Sequence, residues 1–251
     1  MNFSFNRTKA ATLTVDPVQA SVPKLRDADL AALYYGERVG GDFYDFVRVS
    51  PNRVVFGLLD VAGRTEQNGT ILAAVQETFR SKAQTLLADD NVNEADAMTR
   101  ICLLLNRAVL DAANGVHSCP AFAGCYNENL GIVCYFNAGH TPALVRDSTG
   151  IVELPATGLP LGLFSHATCE APMTALAPAA ALLLVSRGVV EGKSKGEEFG
   201  LDRVKETLQH ADLESAKNLC RIVIEDVRQF MRTPPTHNDV TALALVRNQA
   251  A

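Results

Sequence analysis

The chain has no C-x-x-C pair, no Cys/His spacing of a zinc site, no charged tail, no internal repeat and no apolar run long enough to cross a bilayer. Each absence removes a class of protein. The six cysteines, at 102, 119, 125, 134, 169 and 220, form no C-x-x-C pair and no Cys/His set with zinc-site spacing, which excludes a zinc module of ordinary spacing. Cys119 and Cys125 share one parity of a strand-like run and Cys102 lies among leucines. These are the places of small core residues in a reducing compartment. The longest apolar stretch, Ala175 to Val185, is broken by Pro178, and the opening residues lack the apolar core of a signal peptide. The expectation is a cytoplasmic protein without a membrane partner. A net charge of −5 spread along the chain offers no basic surface for nucleic acid.

What is present is ordinary globular composition: 251 residues, 47% hydrophobic and 20% charged, enough for one large core or two small ones. Residues 1–28 read as a polar lead-in and residues 29–249 as the folded domain. Two β runs come first, Val39 to Val49 and Arg53 to Val61. Helical spacing then sets in at Ile71, Leu72, Val75, Phe79 and Leu86, and again from Ala95 to Ala113. Short β runs follow at Cys119–Tyr126, Gly131–Phe136, Ala143–Arg146 and Ile151–Leu154, read as one antiparallel meander. A Gly/Pro-rich loop leads to a strand-like stretch ending near Thr174. Ala181–Ser186 is a buried strand by its unbroken apolar run. Helices over Phe199–His210 and Glu214–Met231 and a last strand, Val240–Val246, complete the pattern. Strands alternating with helix pairs predict an α+β layered domain with mainly antiparallel sheets.

Two aspartates carry the first chemical signal. Ser50-Pro51-Asn52 has turn chemistry, and folding the two runs about Pro51 sets Val49 against Arg53 and Asp42 against Asp60. Directly opposed side chains have Cβ atoms roughly 4.5–5.5 Å apart, where like charges repel. A divalent cation between them resolves the repulsion, because hard ions take oxygen ligands. A slip of one residue would instead send the two carboxylates to opposite faces.

Five blocks resemble a known family in their order: Val39-Gly-Gly-Asp-Phe-Tyr-Asp45, Leu59-Asp-Val-Ala-Gly63, Asn137-Ala-Gly-His-Thr-Pro142, Gly158-Leu-Pro-Leu-Gly162 and Asn238-Asp-Val-Thr241. They are similar to those of SpoIIE-like serine/threonine phosphatases of the metal-dependent PPM, or type 2C, family. The resemblance implies an αββα sandwich of two antiparallel sheets with a two-metal site at one edge. It implies that Asp42 and Asp60 are catalytic metal ligands, with Asp60 bridging the ions and the backbone carbonyl of Val61 adding an oxygen. Mg²⁺ or Mn²⁺ would activate a water and clamp the phosphate. The implied substrate is a phosphoprotein, such as an anti-sigma-factor antagonist in sigma-factor or stress signalling.

The chain departs from the family pattern at two places. Ser186-Arg187-Gly188 stands where Thr-Asp-Gly is expected, and Asn238 replaces the first Asp of Asp-Asp-x-Thr. Asp42 and Asp60 neutralise one divalent ion, not two, so one ion at most is expected. Arg187 either ion-pairs with Asp60, grips substrate phosphate, or turns to solvent. Asp239 serves in place of Asn238 only through a shift of register, since it has the opposite parity. His140 is read as a turn or core histidine before a general acid, Asp45 as facing away from Asp42, and Ser186 as lacking the elbow of a hydrolase nucleophile. Two functions remain: a phosphatase weakened at its second metal site, and a pseudophosphatase that binds a phosphoprotein without turnover.

Overall fold

The computed structural model describes residues 21–35, 41–63, 65–232 and 238–249. Residues 1–20 of the predicted lead-in and Val39 and Gly40 of the first predicted run lie outside the described residues. In chain order the elements are β1 (Ala28–Tyr35), β2 (Asp42–Ser50), β3 (Arg53–Asp60), α1 (Thr65–Leu86), α2 (Glu94–Ala113), β4 (Ala121–Asn127), β5 (Ile132–Ala138), β6 (Ala143–Asp147) and β7 (Gly150–Leu154). They continue with β8 (Met173–Ala175), β9 (Ala181–Val185), α3 (Arg187–Val190), β10 (Lys193–Ser194), β11 (Glu197–Glu198), α4 (Gly200–His210), α5 (Ala216–Met231) and β12 (Val240–Arg247).

The strands form two five-stranded sheets, β1-β12-β9-β6-β7 and β2-β3-β4-β5-β8, with β10-β11 as a small separate ribbon. Their ladders are antiparallel throughout. Strand parity sorts the core into layers. Val54, Phe56 and Leu58 of β3 and Phe122 and Tyr126 of β4 point into the space between the sheets, where they meet Leu182 and Leu184 of β9 and Leu243 and Leu245 of β12. The alternate residues Val55 and Leu59 pack under Val75 and Phe79 of α1 and Met98, Ile101 and Leu105 of α2. On the far side, Leu183, Val185, Ala242 and Ala244 lie under Val204 and Leu208 of α4 and Leu219, Val223 and Val227 of α5. The result is the predicted αββα sandwich. Each central strand is covered on both faces, which is why its sequence runs apolar without alternation.

Helix ends follow capping rules. Asn93 opens α2 by accepting from the amides of Ala95 and Asp96, and Asn114 closes it at a left-handed φ of 52°. Ser215 caps α5 through the amide of Asn218. Among the described residues no helix is long and apolar enough to cross a membrane.

Three local expectations require correction. The meander breaks between β5 and β6: β5 pairs with β4 and β8 in one sheet, whereas β6 pairs with β7 and β9 in the other. Hairpin signals describe neighbouring strands but contain nothing about which layer the next strand joins. Beside the turn the register shifts, so that Ser50 rather than Val49 pairs with Arg53, while Asp42 still pairs with Asp60. An unpredicted strand, β1, forms an edge along the whole of β12. Residues just before it are docked as well: Arg26 Nε lies 2.9 Å from a Glu128 oxygen, and Asp27 accepts from Tyr126 at 3.0 Å and Arg247 at 3.0 Å.

Candidate active site at one end of the two sheets

Asp42 is the first residue of β2 and Asp60 the last of β3, paired directly across the ladder. Backbone geometry holds this end closed. The Val61 amide donates to the Gly41 carbonyl at 3.0 Å, and the Asp60 amide donates to Pro120 at 2.8 Å. A Cβ on Gly41 would lie 1.9 Å from the Val61 carbonyl oxygen, so only glycine permits the approach. Beyond Asp60 the chain turns into α1, and the buried Asn68 reaches back. Its side-chain amide donates to the carbonyls of Val61 at 3.2 Å and Ala62 at 2.7 Å. His117 Nε2 also donates to the Ala62 carbonyl, at 2.7 Å.

The second sheet supplies the facing groups. Ser186 follows β9 and its hydroxyl donates to the Asp239 carbonyl at 2.9 Å while accepting from the Thr241 amide at 3.0 Å. The Ser186 amide donates to the Thr241 carbonyl at 2.9 Å. Gly188 is needed here too, since a Cβ would come within 2.1 Å of the Asp239 carbonyl. Thus locked, the start of β12 reaches across to the hairpin: Thr241 Oγ1 donates to Asp42 Oδ2 at 2.6 Å, and the Asp42 amide donates to Asp239 Oδ2 at 3.2 Å. Ser186 is therefore a fastener between two strands of its sheet, not a nucleophile.

Asp239 thus comes beside Asp42, and the acidities of Asp42 and Asp60 show the crowding. Burial pushes Asp42 well above the usual carboxylate range, the charges of Asp60 and Asp239 push it further, and the hydroxyls of Thr241 and Ser186 pull it back in part. Asp60 is also raised, first by burial, with Arg187 opposing and Asp239 and Glu191 adding. Arg187 opens α3, and its Nε lies 3.3 Å from Asp60 Oδ2. The same Nε lies 3.9 Å from Glu191 Oε2, which accepts from Asn238 Nδ2 at 3.2 Å.

The structure brings together Asp42, Asp60, Asp239 and Arg187, leaves the Val61 carbonyl bonded to the Asn68 amide, and turns Asn238 aside toward Glu191. Asp239 lies just ahead of β12, outside the regular strand, so strand parity does not govern where it points. The other residues weighed from sequence lie elsewhere. Asp45 is buried and paired with Arg80. His140 is buried, takes Asn137 Oδ1 on its backbone amide at 2.8 Å, and directs its Nδ1 to the Thr141 carbonyl at 3.0 Å. Burial lowers its pKa to about 4. Asn68, His117, Thr241 and Glu191 were not singled out as site residues: His117, Thr241 and Glu191 act through hydrogen bonds between segments far apart in sequence, and Asn68 through a turn whose geometry no side-chain period reveals.

Among the described residues no group of three or more His, Cys, Asp and Glu side chains is arranged to hold a metal ion. What exists is a closely set pair of carboxylates, Asp60 buried and Asp42 half-buried, with Val61 next in the chain, oxygen donors suited to one oxygen-preferring cation. It does not suit a second: the position next to Asp60 has a guanidinium against it, and Asn238 is bonded to Glu191.

Residues 50–248 match the model of the family described as Stage II sporulation protein E (SpoIIE). The chain is 25% identical over 253 residues to protein IcfG of Synechocystis sp., covering 91% of this chain and 39% of that protein. It is 25% identical over 161 residues to the phosphoserine phosphatase RsbP of Bacillus subtilis, covering 63% of this chain and 39% of that one. It therefore spans about two fifths of the length of these curated relatives. In fold it is similar to the structure of the RsbU and RsbW domains of Rv1364c from Mycobacterium tuberculosis, with a TM-score of 0.72 and 20% identity over 92% of this chain and 64% of that chain. With the family model spanning most of its length and the same sandwich in its fold, the chain belongs to the SpoIIE family of PPM-type phosphatase domains.

Proposed function

We propose that the domain is a metal-dependent serine/threonine phosphoprotein phosphatase working with one divalent ion, Mg²⁺ or Mn²⁺, held by Asp42, Asp60 and the Val61 carbonyl. The observation that carries this reading is the direct cross-strand pairing of Asp42 and Asp60, two carboxylates of raised pKa whose mutual repulsion a divalent cation between them relieves. A bound divalent ion supplies a Lewis acid and lowers the pKa of a bound water. The chain's own residues prepare the place. Thr241 donates to one oxygen of Asp42, Asn68 sets the Val61 and Ala62 carbonyls, and Arg187, half-exposed beside Asp60, is placed to take a phosphate oxygen.

The substrate class rests on relatives: RsbP is named a phosphoserine phosphatase, and the Rv1364c structure holds RsbU and RsbW domains together. A phosphoserine or phosphothreonine protein, such as an anti-sigma-factor antagonist in a cytoplasmic signalling switch, is the substrate we propose. The pseudophosphatase reading is favoured by one observation, the Arg187 guanidinium on Asp60. Mn²⁺ calorimetry and phosphate release from a phosphoserine peptide separate the two. The phosphatase reading expects metal-dependent release that drops about a thousandfold in Asp60→Asn; metal binding without any release assigns the domain to binding alone.

A further inference from the structure

The two departures from the family pattern, Arg187 and Asn238, lie far apart in sequence and share one partner. Glu191, one turn after Arg187, accepts from Asn238 Nδ2 at 3.2 Å and has the Arg187 Nε 3.9 Å away. Arg187 Nε in turn lies 3.3 Å from Asp60 Oδ2, giving a continuous chain Asp60, Arg187, Glu191, Asn238. The backbone reinforces it, since the Glu191 amide donates to the Arg187 carbonyl at 2.8 Å. The short helix α3 therefore presents Arg187 toward Asp60 with Glu191 behind it.

We infer that Arg187 is a resident cation that takes the place of a second divalent ion beside Asp60, with Glu191 and Asn238 holding it there. Charge supports the exchange. The Arg187 guanidinium, 3.3 Å from Asp60 Oδ2, already sets a positive charge where a second divalent ion would have to sit, and the two would repel. Asn238 fits this arrangement because an amide can donate to Glu191, whereas a carboxylate at 238 would repel it. The consequence is a site whose second positive charge is covalently part of the chain, independent of metal concentration. The inference rests on the proposed metal site and makes no use of turnover.

Mn²⁺ titration calorimetry on the whole chain tests it, comparing the native protein with Arg187→Met and with the double variant Arg187→Asp, Asn238→Asp. The native chain is expected to bind one ion. Arg187→Met should still bind one, about tenfold more tightly, because a positive charge beside the ion has gone. The double variant should bind two. Two ions on the native chain, no ion at all, or an unchanged affinity in Arg187→Met overturns the inference, and so does a folded double variant that binds a single ion. Circular dichroism establishes whether the double variant is folded; if it is not, the Arg187→Met affinity decides alone. Two ions with phosphate release would leave phosphatase activity standing while removing this inference and the single-ion site. One ion without release would support this inference while removing the phosphatase reading.

Discussion

Two carboxylate-arginine pairs sit on the β2-β3 hairpin in opposite circumstances. Asp45, its side chain 1% exposed, meets Arg80 of α1 through both Nε and Nη2, and its Oδ1 also accepts from the Phe46 amide at 2.8 Å. Asp60, its side chain 10% exposed, meets Arg187 through one nitrogen at 3.3 Å, and that arginine is shared with Glu191. The first pair clamps a helix to its sheet. The second joins the two sheets at the end where Asp42 and Asp60 lie. The number of hydrogen bonds, not the pairing of opposite charges itself, separates a structural ion pair from one available to a site.

Removing the clamp should cost most. Arg80→Ala leaves Asp45 buried without its cation, and we expect a loss of about 3 kcal/mol in urea unfolding. A loss below about 1 kcal/mol would erase the contrast with Arg187. Next comes the backbone that brings the functional pair together. Gly41→Ala places a Cβ against the Val61 carbonyl and is expected to cost about 2 kcal/mol and to weaken Mn²⁺ binding, read by thermal melting and calorimetry.

A smaller effect, of opposite sign, is expected at Asp42. Its raised pKa means that the folded chain binds this proton more readily than the unfolded chain does, so the associated stability is present below the ordinary aspartate value and is lost as pH rises through the folded one. Asp42→Asn should therefore stabilise the metal-free protein at pH 7 by about 1 kcal/mol and give no gain near pH 3, while abolishing Mn²⁺ binding. Equal stability of the two proteins at both pH values would show that Asp42 is not strained by its neighbours. The least effect is expected at Arg187 itself. Arg187→Met should change the stability of the metal-free protein by less than about 0.5 kcal/mol, which would mark the pair with Asp60 as dispensable for folding.

Much of this architecture was legible because it rests on local pattern. The helices at Ile71 to Leu86 and Ala95 to Ala113 announced themselves by period, and Pro51 placed the turn that sets Asp42 opposite Asp60 despite the bulge beside it. Strand β1 was hidden because Ala28–Tyr35, with its partly buried residues, has no clean alternation. The crossing from β5 to β6 was hidden because two strands joined by a short loop read alike whether they share a sheet or change layers. Asp239 was expected to serve only through a shift of register, because of its parity, and it lies instead just ahead of β12, outside the regular strand.

The sequence by itself determined the layered α+β fold and the carboxylate pair of the hairpin, since side-chain period and turn chemistry act over a few residues. Only the tertiary structure decided what faces that pair. Thr241 reaches Asp42 across 199 residues, and Arg187 reaches Asp60 from the opposite sheet with Glu191 and Asn238 behind it. Contacts between layers depend on how the two sheets stack, and stacking is set by the packed interior between them rather than by any local pattern in the chain.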